Sequence, residues 1–140
     1  MIRTKNVSEC WWGFAEPINI ASINRKDEIP SGKIKGLSIT NVRCKGEGSI
    51  YIAGKDSAPI EDLTLSNIRL ELEKTTKYPI KGYDFRPCCG PDFQEGKING
   101  IYVKNAKNVK AENLEVTVHD NMKEWVDKEI CFENAVVKEK

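Results

Sequence analysis

A group of side chains with the chemistry to bind sugars lies near the start of the chain. Trp11 and Trp12 are followed by Phe14 and by the carboxylate of Glu16, directly before a predicted strand. Indole rings stack on the apolar faces of sugar rings, and carboxylates accept hydrogen bonds from sugar hydroxyls. The alternative is structural, with one tryptophan filling the interior and the other covering a corner. The segment is therefore a candidate glycan-binding surface with Trp11, Trp12 and Glu16 as its contacts.

A second candidate group is Tyr83, Asp84 and Arg86, which are close neighbours in the sequence. If the segment is extended, Asp84 and Arg86 point to the same side because side chains alternate along a strand. The two residues then form either a surface ion pair or a site in which Arg86 meets the carboxylate of an acidic sugar in bidentate geometry. We expect both groups to contribute to one sugar-binding surface.

Catalytic side chains are sparse in this sequence. Hydrolysis of a glycosidic bond generally needs two carboxyl groups that flank it, and Glu16, Glu47, Asp56 and Asp84 are the available candidates. None of them forms a close pair within a strand pattern. A single histidine, His119, excludes a recognisable Ser/His/Asp arrangement, and the chain has no glycine-rich phosphate loop. No catalytic residue is assigned from the sequence.

Charge and hydropathy exclude two classes of partner. The 22 basic residues almost balance the 21 acidic ones, so no general field favours nucleic acid or an anionic membrane. Apolar runs fall well short of the roughly 20 residues that span a bilayer. The first six residues lack the apolar core of a secretory signal, and the compartment is left open.

The cysteine pattern predicts neither a metal centre nor another cofactor. The chain has five cysteines without a Cys-x-x-Cys spacing, and His119 is the one histidine available to assist them. Cys44 and Cys131 lie inside strand patterns, where we expect them to act as small apolar residues. The adjacent Cys88 and Cys89 are interpreted as two reduced thiols in a loop.

A sequence repeat indicates the secondary structure that must position these groups. Three segments share one pattern of alternating apolar residues interrupted by an asparagine, at Asn41, Asn67 and Asn113, with spacings of 26 and 46 residues. Dense β-branched residues and the absence of a helical apolar stripe favour strands. Asparagine tolerates the left-handed backbone that a sharp corner needs, and stacked amides hydrogen-bond to one another. We therefore expect each asparagine to mark a corner.

A second family of short strands interleaves with the first. Its members contain an apolar residue, one intervening residue and a second apolar residue, namely Ile18/Ile20, Ile50/Ile52, Ile101/Val103 and Ile130/Phe132. Two alternating strand families at this spacing predict an all-β parallel β-helix, a solenoid of about four coils, in a single domain over 1–140. A long loop insertion is predicted at 74–97, and a short helical turn is allowed only at 120–128.

These features together resemble the C-terminal part of bacterial polygalacturonase-like proteins, glycoside hydrolase family 28. The resemblance covers nearly the whole chain and is most specific in the Trp11-Trp12-Gly13 segment and in the segment from Lys74 to Cys88. It implies a right-handed parallel β-helix that acts on pectin-type polysaccharides without an obligatory metal. The family's catalytic motifs, Asn-Thr-Asp, Asp-Asp, Gly-His-Gly and Arg-Ile-Lys, do not occur in this chain.

The sequence thus predicts the C-terminal coils of a pectinase-like hydrolase that is inactive alone. A polysaccharide or oligosaccharide is the expected partner, bound through Trp11, Trp12, Glu16, Tyr83, Asp84 and Arg86. Two alternatives stay open. One is a structural module that self-associates or joins missing N-terminal coils through unpaired strand edges, and the other is a carbohydrate-binding module.

Overall fold

The structure of the protein is a computed structural model that describes residues 2–3, 16–22, 32–85 and 93–138. Several residues of interest lie outside these ranges, so the structural account does not extend to them. They are Trp11, Trp12, Arg86, Cys10, Cys88 and Cys89.

The described part of the chain is all-β, with almost no helix. One short 3₁₀ helix spans Asp120–Met122. The strands are β1 (Ile2–Arg3), β2 (Ile18–Ala21), β3 (Ser38–Gly46), β4 (Ile50–Ala53), β5 (Ile60–Leu72), β6 (Gly82–Asp84), β7 (Phe93–Glu95), β8 (Ile101–Val118) and β9 (Ile130–Lys138).

Seven of these strands form one curled parallel sheet. The strand order is β1-β3-β5-β8-β4-β2, and β9 also pairs with β8. β8 has 18 residues; its start, from Ile101 to Lys104, pairs with β4, and its longer remainder, from Ala106 to Val118, pairs with β5. The remaining two strands, β6 and β7, form a separate antiparallel pair. The predicted all-β class with parallel strands is therefore confirmed.

The strands of the Ile18/Ile20 family lie side by side in the sheet. We call this set the first row; it consists of β2, β4, the start of β8 and the start of β9. Ile18 pairs with Ile50, Ile50 with Ile101, and Ile101 with Ile130. The register carries through to the next apolar position, which is occupied by Ile20, Ile52, Val103 and Phe132. Apolar residues at equivalent positions are therefore aligned across four neighbouring strands, as the alternating pattern predicts.

The repeated asparagines lie in the second row, which β1, β3, β5 and the later parts of β8 and β9 form. Asn41, Asn67 and Asn113 have φ of 57°, 54° and 54°, in the left-handed region. The Nδ2 of Asn67 donates to the Oδ1 of Asn41 at 3.0 Å, and the Nδ2 of Asn113 donates to the Oδ1 of Asn67 at 2.7 Å. The predicted corners and the predicted amide ladder are both confirmed.

Each left-handed residue turns the strand while keeping its apolar side chains inside. In β5 the fully buried residues are Ile60, Leu63, Leu65, Ile68, Leu70 and Leu72. The interval between them is two residues except across Asp62 and Asn67, where it is three. Both exceptions have positive φ. The extra residue therefore bends the backbone and restores the apolar face to the same interior.

Two further aligned corners were not predicted. Gly36, Asp62 and Asn108 occupy equivalent positions next to the paired residues Lys35, Glu61 and Lys107, and all three have positive φ. Asn105 and Asn134 form the other corner, where the Nδ2 of Asn134 donates to the Oδ1 of Asn105 at 2.7 Å. Glycine and asparagine are the residues that adopt this backbone at least cost.

The predicted long loop at 74–97 is partly regular, which corrects that prediction. It contains the β6–β7 pair, and within it Ile80 and Tyr83 are buried. Its start is fixed by the buried carboxylate of Glu47, which lies 2.8 Å from the Nζ of Lys74. The hydroxyls of Thr75 and Thr76 donate to the same carboxylate at 3.2 and 3.1 Å. Alternation over three-residue strands is too short a signal to predict this pair.

The short helical turn predicted at 120–128 is confirmed at its beginning by the 3₁₀ helix. Met122 within it is fully buried, and Trp125 packs against the core. Cys44 is buried in β3 and Cys131 is half-buried in β9, both as free thiols, as expected for small apolar residues.

The corner asparagines allow a direct test by substitution of Asn67. We expect both Asn67→Ala and Asn67→Gly to destabilise the fold, because either change removes the amide from the ladder. Alanine in addition pays the left-handed backbone penalty, so it should be less stable than glycine by about 1 kcal/mol, after allowing for the greater freedom of unfolded glycine. Urea unfolding of both variants measures this difference, and equal stabilities would contradict the corner assignment.

Candidate functional site

The structure brings together three of the predicted binding residues, Glu16, Tyr83 and Asp84. Glu16 lies just before β2, whereas Tyr83 and Asp84 lie in β6 of the insertion. Burial is the main cause of the raised pKa of both Glu16 and Tyr83; the charge of Asp84 adds to the first, and the charge of Glu16 adds to the second. The residues are therefore close enough in space to interact, although they are far apart in the sequence.

Four aromatic rings form the centre of this site, which we call the tyrosine cluster: Tyr51, Tyr83, Tyr102 and Phe85. The ring centroid of Tyr51 lies 5.1 Å from that of Tyr83, 5.6 Å from that of Tyr102 and 5.8 Å from that of Phe85. Tyr83 and Phe85 are stacked with an angle of 3° between their planes. These separations fall in the range where aromatic pairs attract one another.

The strand register explains why the cluster forms. Tyr51 of β4 pairs directly with Tyr102 of β8, and both alternate with the isoleucines and valine that face the core. All four residues of β4 are buried, because the insertion that carries Tyr83 and Phe85 covers the face opposite to the core. Sequence analysis missed Tyr51 and Tyr102, although their equivalent positions in the strand repeat were a usable signal.

Tyr83 is held by a chain of hydrogen bonds and is not a free stacking surface. Its side chain is only 2% exposed. The hydroxyl of Ser49 donates to the carbonyl of Asn99, so the Tyr83 hydroxyl donates to the Oγ of Ser49 at 2.9 Å. The backbone N–H of Asn99 donates to the Tyr83 oxygen, also at 2.9 Å. Burial raises the pKa of Tyr83 to about 12. Its ring packs against the other three rings of the cluster.

The carboxyl groups at the cluster differ in their environments. Burial is the main cause of the raised pKa of Glu16, with hydrogen bonds from its own backbone and from Asn19 acting in the opposite direction and Asp84 raising it further. Glu133, which was not predicted, accepts a hydrogen bond from the Tyr102 hydroxyl and lies 3.7 Å from the Nζ of Lys104. Burial also raises the pKa of Tyr102, with Glu133 contributing next.

This arrangement can bind hydroxyl groups and can hold a proton. Ionised carboxylates accept hydrogen bonds only, whereas a carboxyl that keeps its proton also donates. Glu16, with a raised pKa beside Asp84, has the second property over a wider pH range than an exposed glutamate. The accessible part of the site is the half-buried ring of Phe85 with the half-buried side chains of Glu16 and Asp84, a combination of apolar surface and hydrogen-bonding groups that suits a polyhydroxylated ligand.

A separate group on the sheet has metal-ligand character. Ligand atoms of Glu71, Glu73 and His119 lie within 4.8 Å of one another. The Nε2 of His119 lies 2.6 Å from the Oε1 of Glu71, and the Nζ of Lys45 lies 2.7 Å from the Oε2 of Glu73. Both carboxylates are already engaged by these side chains, Glu71 in a hydrogen bond with His119 and Glu73 in an ion pair with Lys45.

Substitution of Glu16 by glutamine tests the burial of its carboxyl. A raised pKa means that the folded state keeps this proton above the ordinary value of 4.5, while the unfolded state loses it. The stability of the wild-type protein should therefore fall as the pH rises from the unfolded pKa of 4.5 to the higher folded pKa, and level off above it. We expect Glu16→Gln to gain stability relative to wild type from pH 4 to pH 8 in denaturant titrations.

The control for this test is Glu124→Gln, which removes the same charge at an exposed position. An identical pH response of the two variants would contradict a partly desolvated Glu16 carboxyl.

The pair of His119 and Glu71 makes a second testable prediction. The hydrogen bond from His119 is the main cause of the lowered pKa of Glu71, with Lys45 adding to it. We expect His119→Ala to raise the pKa of Glu71 toward 4.5, as measured by NMR titration of the side-chain carboxyl. Glu73 is the internal reference, because its own lowered pKa depends chiefly on Lys45. An unchanged Glu71 titration in the variant would be inconsistent with the pair.

Within the described residues, no helix has the length and apolar character needed to cross a membrane.

The comparisons with known proteins do not assign a family. No family model, curated protein or solved structure matches the chain. The resemblance to glycoside hydrolase family 28 stays a prediction from sequence, and the geometry of the tyrosine cluster and its carboxyl groups is the basis for a functional proposal.

Proposed function

We propose that this chain is a glycan-binding portion of a polygalacturonase-like β-helix, and that it binds without hydrolysing its ligand when alone. The observation that carries the proposal is that the insertion folds back on the sheet, placing Tyr83 and Phe85 against Tyr51 and bringing Asp84 within electrostatic range of Glu16. These groups come from two distant parts of the chain and include three residues that the sequence assigns to sugar binding.

The same proposal includes a right-handed parallel β-helix of about four coils. The first row supports the number, because it contains four strands in continuous register: β2, β4, the start of β8 and the start of β9. The corners at equivalent positions support the closure of each coil, since a chain that turns at the same points in successive strands stacks on itself. The handedness rests on the resemblance.

Binding would use the half-buried side chains at the tyrosine cluster, which are more accessible than its tyrosines. The carboxylate of Asp84 would accept hydrogen bonds from sugar hydroxyls, Glu16 would donate or accept, and the half-buried ring of Phe85 would provide apolar contact. Trp11, Trp12 and Arg86 are proposed as further contacts from their sequence context. Binding is favoured over hydrolysis because the chain contains none of the family's catalytic aspartate motifs.

Self-association is the second candidate function, and one observation favours it. Among the described strands, β2 and β9 each pair on one side only, so the first row has two unpaired edges. Val136, which is 76% exposed, lies in β9. Exposed strand edges favour pairing with another chain. Light scattering of the intact chain across a concentration series tests this candidate, and a monomer at every concentration would contradict it.

Calorimetric titration with oligogalacturonate and with its methyl-esterified form tests glycan binding. We expect Asp84→Asn to weaken binding of the neutral methyl-esterified form about tenfold, because it removes a charged acceptor of hydroxyl hydrogen bonds. Asp127→Asn is the matched control, since it makes the same change at an exposed turn position. Equal affinities of the two variants would overturn the site.

A reducing-end assay on the same glycans tests the absence of hydrolysis. Turnover that is lost in Glu16→Gln or Asp84→Asn would show that the chain is an enzyme and would contradict this part of the proposal.

A further inference from the structure

A second polar surface lies on the outer side of the second row, on strands other than those of the tyrosine cluster. Arg43 of β3 pairs in register with Arg69 of β5, and Arg69 pairs with Glu115 of β8. Neighbouring parallel strands are separated by about 4.8 Å. Register therefore places two arginines side by side, and like charges at directly opposite positions destabilise a sheet.

The charges at this place are only partly compensated. The Nε of Arg69 lies 3.3 Å from the Oε2 of Glu115. Arg43 makes no ion pair with another residue of the described part of the chain. The pair of arginines thus carries a local surplus of positive charge in a protein whose net charge is only +1. An anion bound between the two guanidinium groups would relieve their repulsion.

A shallow depression of about 260 Å³ adjoins this arginine pair. We call it the arginine–asparagine cleft; its lining residues are Asn41, Val42, Arg43, Asn67, Arg69 and Asn113. No acidic side chain is among them. The acidic groups Glu71 and Glu115 line a separate depression on the other side of the arginines. An anion would therefore be attracted from the asparagine side and repelled from the opposite one.

The asparagine ladder supplies neutral hydrogen-bonding groups next to the two cations. Asn67 and Asn113 each use one amide N–H in the ladder, and a side-chain amide has two. The second N–H of each remains available at an exposed position. A row of amide donors beside two planar guanidinium groups suits a ligand that carries hydroxyls beside an oxyanion.

We propose that the arginine–asparagine cleft binds the oxyanion of an anionic oligosaccharide, with Arg43 and Arg69 on the charged group and the asparagine amides on neighbouring hydroxyls. The charged group is a carboxylate or a sulfate ester, since both accept two parallel hydrogen bonds from arginine. Nucleic acid is disfavoured because no aromatic ring lines the cleft to stack a base, and because the near-neutral chain lacks a broad basic field. This site is independent of the tyrosine cluster.

Titrations of the intact chain with three probes test the cleft: trigalacturonate, its methyl ester and a sulfated heparin disaccharide. We expect Arg43→Gln to weaken binding of the anionic probe that the cleft selects about tenfold and to leave binding of the neutral ester unchanged. Arg43→Lys should restore only part of the loss, since lysine keeps the charge without the bidentate fork. The carboxylated and sulfated arms identify which oxyanion is selected.

Lys107→Gln is the matched control, because it removes one positive charge at an exposed position of the same sheet. Equal effects of Arg43→Gln and Lys107→Gln on both anionic probes would overturn the cleft, as would an Arg43-dependent affinity for a single-stranded oligonucleotide that matches the anionic sugars. Asp84→Asn separates the two proposals, since it is expected to weaken binding of the neutral ester, which Arg43→Gln leaves unchanged.

Discussion

The structure depends on left-handed corners that align from one strand to the next. Within the described residues, every non-glycine with positive φ is an asparagine except for one aspartate; they are Asn41, Asp62, Asn67, Asn105, Asn108, Asn113 and Asn134. The left-handed conformation costs about 1–2 kcal/mol for an ordinary residue and less for asparagine. Each of these side chains hydrogen-bonds to another at the equivalent corner of a neighbouring strand. The corners therefore turn the chain and fix the register at the same time.

A fixed parallel register has consequences for the outer faces of the sheet. It places each residue beside its equivalent, so a repeated residue type becomes a cluster. Tyr51 thereby meets Tyr102, and Arg43 meets Arg69. The first pair is covered by the insertion that Glu47 and Lys74 fasten at its start, and the second stays exposed. Both proposed binding surfaces follow from the same register, although they differ in chemistry: one is aromatic and acidic, the other basic and amide-rich.

Much of the sheet could be predicted from sequence, because the strands repeat. The alternating residues of the first row and the corner asparagines at 41, 67 and 113 all lie where their pattern indicated. The corner at Gly36, Asp62 and Asn108 was missed because three different residue types occupy it, so no single recurring residue marks it as asparagine marks the other. In the candidate site, Glu16 and Asp84 come close together only because the insertion folds back onto the sheet. That contact is non-local, and no local pattern encodes it.

The central claim is that aligned left-handed corners hold the rows in one register. NMR of the intact chain tests it most directly, by through-space contacts between backbone protons of Val42 and Ile68 and of Ile68 and Leu114, together with the φ-dependent couplings of the neighbouring asparagines. The register described here predicts both contacts and positive φ at Asn41, Asn67 and Asn113. Contacts displaced by a residue, or extended φ values at these asparagines, would contradict it.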